Sequence, residues 1–197
     1  VLVNNAGYAL SSLIEEAKLE EARQQFETNF WGIVRMTKAA LPAMRRQRDG
    51  RIINISSLAG LVGVPGEGFY SATKFAIEGY SEALAMEVGV FNIHVSLIEP
   101  GYFKTGFGEA RSRGTELIHD YDPIREKIMT AFEEGARCGG DPADVAQLMQ
   151  KVIESPRPAL RYRAGRDSAI LPIVRGLLPE KVFAWGTRKW FHIPRSV

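Results

Sequence analysis

The sequence predicts an α/β fold built on a doubly wound parallel sheet. Short β-rich runs at 1–5, 51–56, 94–99 and 159–163 are separated by long segments of helical period. The two central runs, Ile52-Ile53-Asn54-Ile55 and Val95-Ser96-Leu97-Ile98, are nearly unbroken apolar stretches, as strands buried on both faces are. Strands that alternate with helices make repeated βαβ units and a parallel sheet with long helices on both faces.

Taken in order, the strand at 1–5 runs into Asn4-Asn5-Ala6-Gly7. From 19 to 46, Phe26, Phe30, Ile33, Val34, Thr37, Leu41 and Met44 recur at three- and four-residue steps, the spacing of one helical face. Pro42 is expected to bend or restart that helix. The strand at 51–56 ends at Ser56-Ser57, and a helix over 70–88 lines up Tyr70, Lys74, Ile77, Ser81, Leu84 and Val88. The strand at 94–99 ends at Glu99-Pro100-Gly101. The connection that follows, 102–140, is expected to hold a helix around 124–134, and its length points to a lid over substrate. Asp141 as N-cap and Pro142 at the first helical position start a helix over 142–153. The last strand is 159–163. Beyond it Lys181, Arg188 and Lys189 alternate with Phe183, Trp185, Trp190 and Phe191, read as a tail packed on the fold with its charges in water.

A chain of 197 residues with 45% apolar and 24% charged residues has the balance of one globular domain. A net charge of +2 gives little support to nucleic-acid binding. The single cysteine, Cys138, permits no internal disulfide and fits a reducing, cytoplasmic setting. No apolar run is long enough to span a membrane. His94, His119, His192 and Cys138 lack metal-site spacing. No Gly-x-Ser-x-Gly elbow and no phosphate-loop lysine motif occurs.

The chemistry gathers at the strand ends. Tyr70 and Lys74 are four apart and share a helical face. An ammonium near a phenol favours the phenolate, which makes a general acid/base for an alcohol or ketone. Ser57, thirteen residues before Tyr70, follows a buried strand, where its hydroxyl can donate to a substrate carbonyl. The small residues Asn5, Ala6 and Gly7 let a ligand approach the backbone closely. Leu58, Val64, Phe69, Tyr102 and Phe107 flank these positions and offer an apolar substrate surface.

In this order, Asn4-Asn5-Ala6-Gly7, Ser57, Tyr70-x-x-x-Lys74 and Pro100-Gly101 resemble the short-chain dehydrogenase/reductase family, whose fold is Rossmann-like. Asn29, in Thr28-Asn29-Phe30-Trp31-Gly32, matches the family's helix asparagine. Pro100-Gly101-Tyr102-Phe103-Lys104-Thr105 and Leu160-Arg161-Tyr162-Arg163 are similar to the hydroxysteroid and retinol dehydrogenase branch. The resemblance implies a catalytic set of Asn29, Ser57, Tyr70 and Lys74. It implies NAD or NADP held by Asn5, Ala6, Gly7, Tyr70, Lys74, Pro100, Gly101, Phe103 and Thr105. It further implies a small apolar alcohol or ketone as substrate, and a homodimer or homotetramer built on helices 19–46 and 70–88. The family's glycine-rich dinucleotide loop does not occur in its place, so the chain is expected to be the C-terminal portion of such a domain. The alternatives are a catalytically silent cofactor sensor or interaction module of the same fold, and a sugar-nucleotide epimerase or dehydratase, for which little chain remains after Arg163.

Overall fold

The computed structural model describes residues 1–108 and 111–194. Its main sheet has four strands in the order β1-β3-β4-β6: β1 (Leu2–Asn4), β3 (Gly50–Ile55), β4 (Ile93–Pro100) and β6 (Arg161–Ala164). All pair in parallel, with Leu2 opposite Ile52, Ile52 opposite Val95 and Ile98 opposite Tyr162. The first of the apolar runs thus lies beside the second in the sheet.

Helices cover both faces of this sheet. On one side, α2 (Gly32–Gln47) and α3 (Gly68–Val88) bury Met44, Leu84 and Val88 against Ile52, Ile93 and Val95. Ile33 and Ile77 close over Leu97 on the same side. On the other, α5 (Pro142–Glu154) lays Val152 against Ile53, Ile98 and Ala164. The Asp141 side chain accepts the Ala143 N–H at 2.9 Å and caps α5 as its sequence suggests.

The first helical segment differs from its expected form. α1 (Leu19–Phe26) passes into a π-helical turn, Glu27–Trp31, before α2 begins, and α2 runs through Pro42 to Gln47. Pro42 is exposed, so the carbonyl deprived of its N–H partner can turn to water.

After β4 the chain crosses the carboxyl ends of the strands. There β5 (Ser112–Arg113) pairs in parallel with β2 (Leu10–Ser11), forming a small second sheet. α4 (Asp122–Arg137) follows and buries Ile128, Ala131 and Phe132 with Phe191. The fully buried Glu16 carboxylate ties this segment down by pairing with Arg125 and accepting the Ile118 N–H. The tail is helical, as α6 (Arg166–Leu177) and α7 (Glu180–Trp190). Phe191 packs as expected, whereas Ile173, Val182, Trp185 and Trp190 stand exposed: both helices are amphipathic, but little of the described chain lies over their apolar stripes.

Candidate active site

Because β1, β3 and β4 are parallel, the residues that follow them leave from one end of the sheet, where open α/β sheets bind ligands. This brings together Asn5-Ala6-Gly7, Ser56-Ser57 and Gly101.

Ser57 precedes a 3-10 turn, Leu58–Gly60, and its oxygen accepts the Ala59 N–H at 3.1 Å. The hydroxyl proton is thereby left to be donated outward. The turn lies tight against α3: a Cβ on Gly60 would fall 2.7 Å from Ser56 Oγ and 3.1 Å from the Lys74 carbonyl oxygen. Glycine at position 60 thus lets Ser57 sit beside the helix that carries Tyr70.

Tyr70 and Lys74 are both buried on α3, with the Lys74 ammonium 5.6 Å from the phenol ring centre. Lys74 Nζ donates to the Ile55 carbonyl at 2.7 Å, which fixes it at the end of β3. Burial lowers the Lys74 pKa to about 8, while Glu78 opposes the shift. Phe107 packs on Tyr70 with ring centres 5.8 Å apart. The resulting desolvation raises the Tyr70 pKa well above that of a free phenol, the Ser57 hydroxyl and Arg111 pull it back, and Glu67 adds to the rise. Burial therefore outweighs the lowering expected from Lys74, and Tyr70 is held as the protonated acid.

Asn29 sits in the π-helical turn, where its side chain can face inward. Its Oδ1 accepts the Tyr8 N–H at 3.1 Å, and its Nδ2 donates to the Tyr8 carbonyl at 2.9 Å and to Thr73 Oγ1 at 3.2 Å. Asn29 thus clamps the Asn5-Ala6-Gly7 turn against α3. Gly7 faces the same amide, with Lys74 Nζ 4.0 Å from where its Cβ would be.

The remaining sequence candidates divide. Val64 and Phe107 pack around Tyr70, and Tyr102 joins Val64 beside α4. Leu58 is buried in the 3-10 turn, and Phe69 is half-buried outside the apolar clusters described above. Pro100 ends β4, and Gly101 N–H bonds to the Ala164 carbonyl at 2.9 Å. Phe103 turns to the α5 face, its ring near Gly140 and Gly165, while Thr105 is exposed and accepts the Phe107 N–H at 3.2 Å. A cavity of about 660 Å³ beyond Phe103 is walled by Tyr102, Phe103, Lys151, Arg163, Arg166 and Asp167; Tyr70 and Ser57 are not on its wall.

Two charged features escaped the sequence reading. Glu99 is fully buried ahead of Pro100, 3.6 Å from both Arg161 and Arg163. Burial, aided by Glu78, pushes its pKa up to about 7. Glu67, buried just before α3, pairs at 3.3 Å with Arg111. Their partners lie far along the chain, Arg161 and Arg163 for Glu99 and Arg111 for Glu67, and no local pattern signals such pairings.

Residues 1–116 match the family model for short chain dehydrogenase. The chain belongs to the short-chain dehydrogenase family. It is 41% identical over 196 residues to a 3-ketodihydrosphingosine reductase from Bacteroides thetaiotaomicron, covering 98% of this chain and 73% of that one. It is 43% identical over 188 residues to retinol dehydrogenase 8 from Bos taurus, covering 91% of this chain and 60% of that one. It also superimposes on a short chain dehydrogenase/reductase from Burkholderia phymatum in complex with NAD, with TM-score 0.73 and 25% identity. That match covers 88% of this chain and 63% of the other. This member of the family thus spans less than two thirds of the second relative and of the solved structure.

Proposed function

We propose that the protein is an NAD(P)-dependent short-chain dehydrogenase that interconverts a secondary alcohol and a ketone on an apolar substrate. The observation that carries this reading is the convergence of Ser57, Tyr70 and Lys74 at one end of the parallel sheet, with Lys74 pinned to the end of β3. The relatives named as a ketodihydrosphingosine reductase and a retinol dehydrogenase support it, as does the NAD-bound structural relative.

The residues present suit a nicotinamide cofactor. Asn5, Ala6 and Gly7 give a small, partly open surface at the end of β1, next to a buried ammonium with one hydrogen bond among the described residues. Lys74 would hold the nicotinamide ribose, with Pro100, Gly101, Thr105 and the Phe103 backbone seating the ring. When bound, the cofactor supplies or accepts the hydride at the substrate carbon. In the reducing direction Ser57 donates a hydrogen bond to the carbonyl oxygen and polarises it. Tyr70 gives its phenolic proton to that oxygen as the alcohol forms, and Lys74 stabilises the tyrosinate until solvent returns the proton. Oxidation runs the same proton path backwards. Val64, Phe107 and Tyr102 supply the apolar wall, with Leu58 and Phe69 at its margin, and segment 102–140 acts as the lid. The single cysteine supports a cytoplasmic setting, and the exposed Trp31 and Phe75 support a homodimer or homotetramer.

Tyr70→Phe in the intact protein tests the reading. With NADH or NADPH and a panel of apolar ketones, turnover should fall by about a thousandfold while circular dichroism stays unchanged. Activity retained within about tenfold, roughly 1.4 kcal/mol of barrier, overturns it.

A further inference from the structure

The two C-terminal helices are held to the fold at two points and are bare elsewhere. The Arg175 guanidinium of α6 donates to the Leu61 carbonyl, just past the 3-10 turn that follows Ser57, and lies 5.8 Å from the Phe75 ring centre. After α7, Phe191 is buried against Phe132 of α4, with ring centres 5.5 Å apart. Between these anchors little is covered: Ser168 is the one buried residue of α6, and α7 has none. Ile170, Ile173 and Leu177 follow one another at three- and four-residue steps along α6, all exposed, Leu177 to 78%. On α7, Val182 and Trp185 stand exposed three apart, and Trp190 is 60% exposed. Among the described residues, eight of the eighteen large apolar side chains left exposed lie within 170–190. Single exposed apolar residues are ordinary, but such a concentration marks a surface that is covered in use.

The charge on this segment says what covers it. Residues 166–194 carry Arg166, Arg175, Lys181, Arg188 and Lys189 against Asp167 and Glu180. Their net +3 exceeds the +2 of the whole chain, so the remainder is slightly acidic. The cations are interleaved with the apolar stripe: the Lys189 ammonium lies 5.3 Å from the Trp185 ring centre. We propose that α6 and α7 form a docking face for the surface of an anionic lipid bilayer, lying in its headgroup layer without crossing it. Tryptophan rings suit the boundary between headgroups and acyl chains. Lysine and arginine beside them lay their stems on lipid and send their charges to the phosphates. An anionic leaflet attracts such a segment, whereas a second copy seated on the same face would set like charges against each other. No described helix is long and apolar enough to cross a membrane, so the contact is with the surface alone.

Docking needs no turnover, so its test is separate from that of the proposed function. The intact protein is sedimented with vesicles of phosphatidylcholine alone, or of phosphatidylcholine with about one third phosphatidylglycerol. It should partition into the anionic vesicles and far less into the neutral ones, and raising salt from about 0.1 to about 0.5 M should weaken the partition. Trp185→Ser with Trp190→Ser should weaken it at least about tenfold. Lys181→Gln, Arg188→Gln and Lys189→Gln together should weaken it about a hundredfold. All these positions are exposed, so circular dichroism should stay that of the wild type. The chain has three tryptophans, and Trp31→Phe leaves Trp185 and Trp190 as the only reporters. Their emission should move to shorter wavelength on anionic vesicles. A wild type that sediments with neither vesicle, equal partition into both, or variants that bind as the wild type does overturns the proposal. If the wild type ignores vesicles and the Trp185→Ser, Trp190→Ser variant falls to a smaller oligomer by light scattering, the face seats a second copy and the proposal falls.

Discussion

Lys74 is an ammonium held where water scarcely reaches it. Its pKa falls from 10.5 to about 8, chiefly through burial. Below pH 8 both folded and unfolded chains carry the proton, so the full burial cost is present; between about 8 and 10.5 the folded chain sheds it first, and stability rises with pH. Relative to Lys74→Met, the wild type should therefore gain about 2 kcal/mol between pH 7 and pH 9.5 in urea unfolding. A flat difference would show that Lys74 is not desolvated. Lys74→Met should also abolish turnover, since stability lost at this residue is the condition of its chemistry. Tyr70 and Lys74 were legible because a helix turns every four residues into neighbours. Glu67 and Arg111 were not, because their contact depends on how a two-residue strand settles on another, and no local pattern encodes that.

At the scale of elements, the two central strands, β3 and β4, could be read because burial on both faces leaves long apolar runs. The strands β2 and β5 could not, since two residues show no period. The π-helical turn was hidden for a related reason: Phe26, Phe30 and Ile33 keep a helical spacing across it, while the extra residue turns Asn29 inward. The Glu16–Arg125 pair holds α4 to the segment before α1, and the Glu16 side chain is 1% exposed. Arg125→Met would strand that carboxylate, and unfolding by urea at pH 7 should show a loss of about 3–5 kcal/mol. Glu16→Gln together with Arg125→Met should recover most of it. A single-variant loss under about 1 kcal/mol would mean that solvent reaches Glu16 readily.

For the whole molecule, family membership was legible from the order of the motifs, because each marks the end of a strand and the fold brings those ends together. Its outer surface was less so. On the two helices expected to build the assembly, Phe30 packs toward Ile33, Ile77 and Leu97, while Trp31 is 49% and Phe75 41% exposed. Light scattering on the intact protein at micromolar concentration should give a dimer or tetramer, and Trp31→Glu with Phe75→Glu should shift it toward monomer. A monomeric wild type would leave those side chains without a role in assembly. The parallel register of the sheet also sets a schedule for synthesis. Leu2 pairs with Ile52, Ile52 with Val95, and Ile98 with Tyr162, so each strand leaves the ribosome tens of residues ahead of its partner. At about 5–20 residues per second, the apolar edge of β3 waits seconds for β4 to arrive. Such long-range pairings make folding slow, and the nascent chain leaves open an apolar strand edge that the finished sheet covers on both sides.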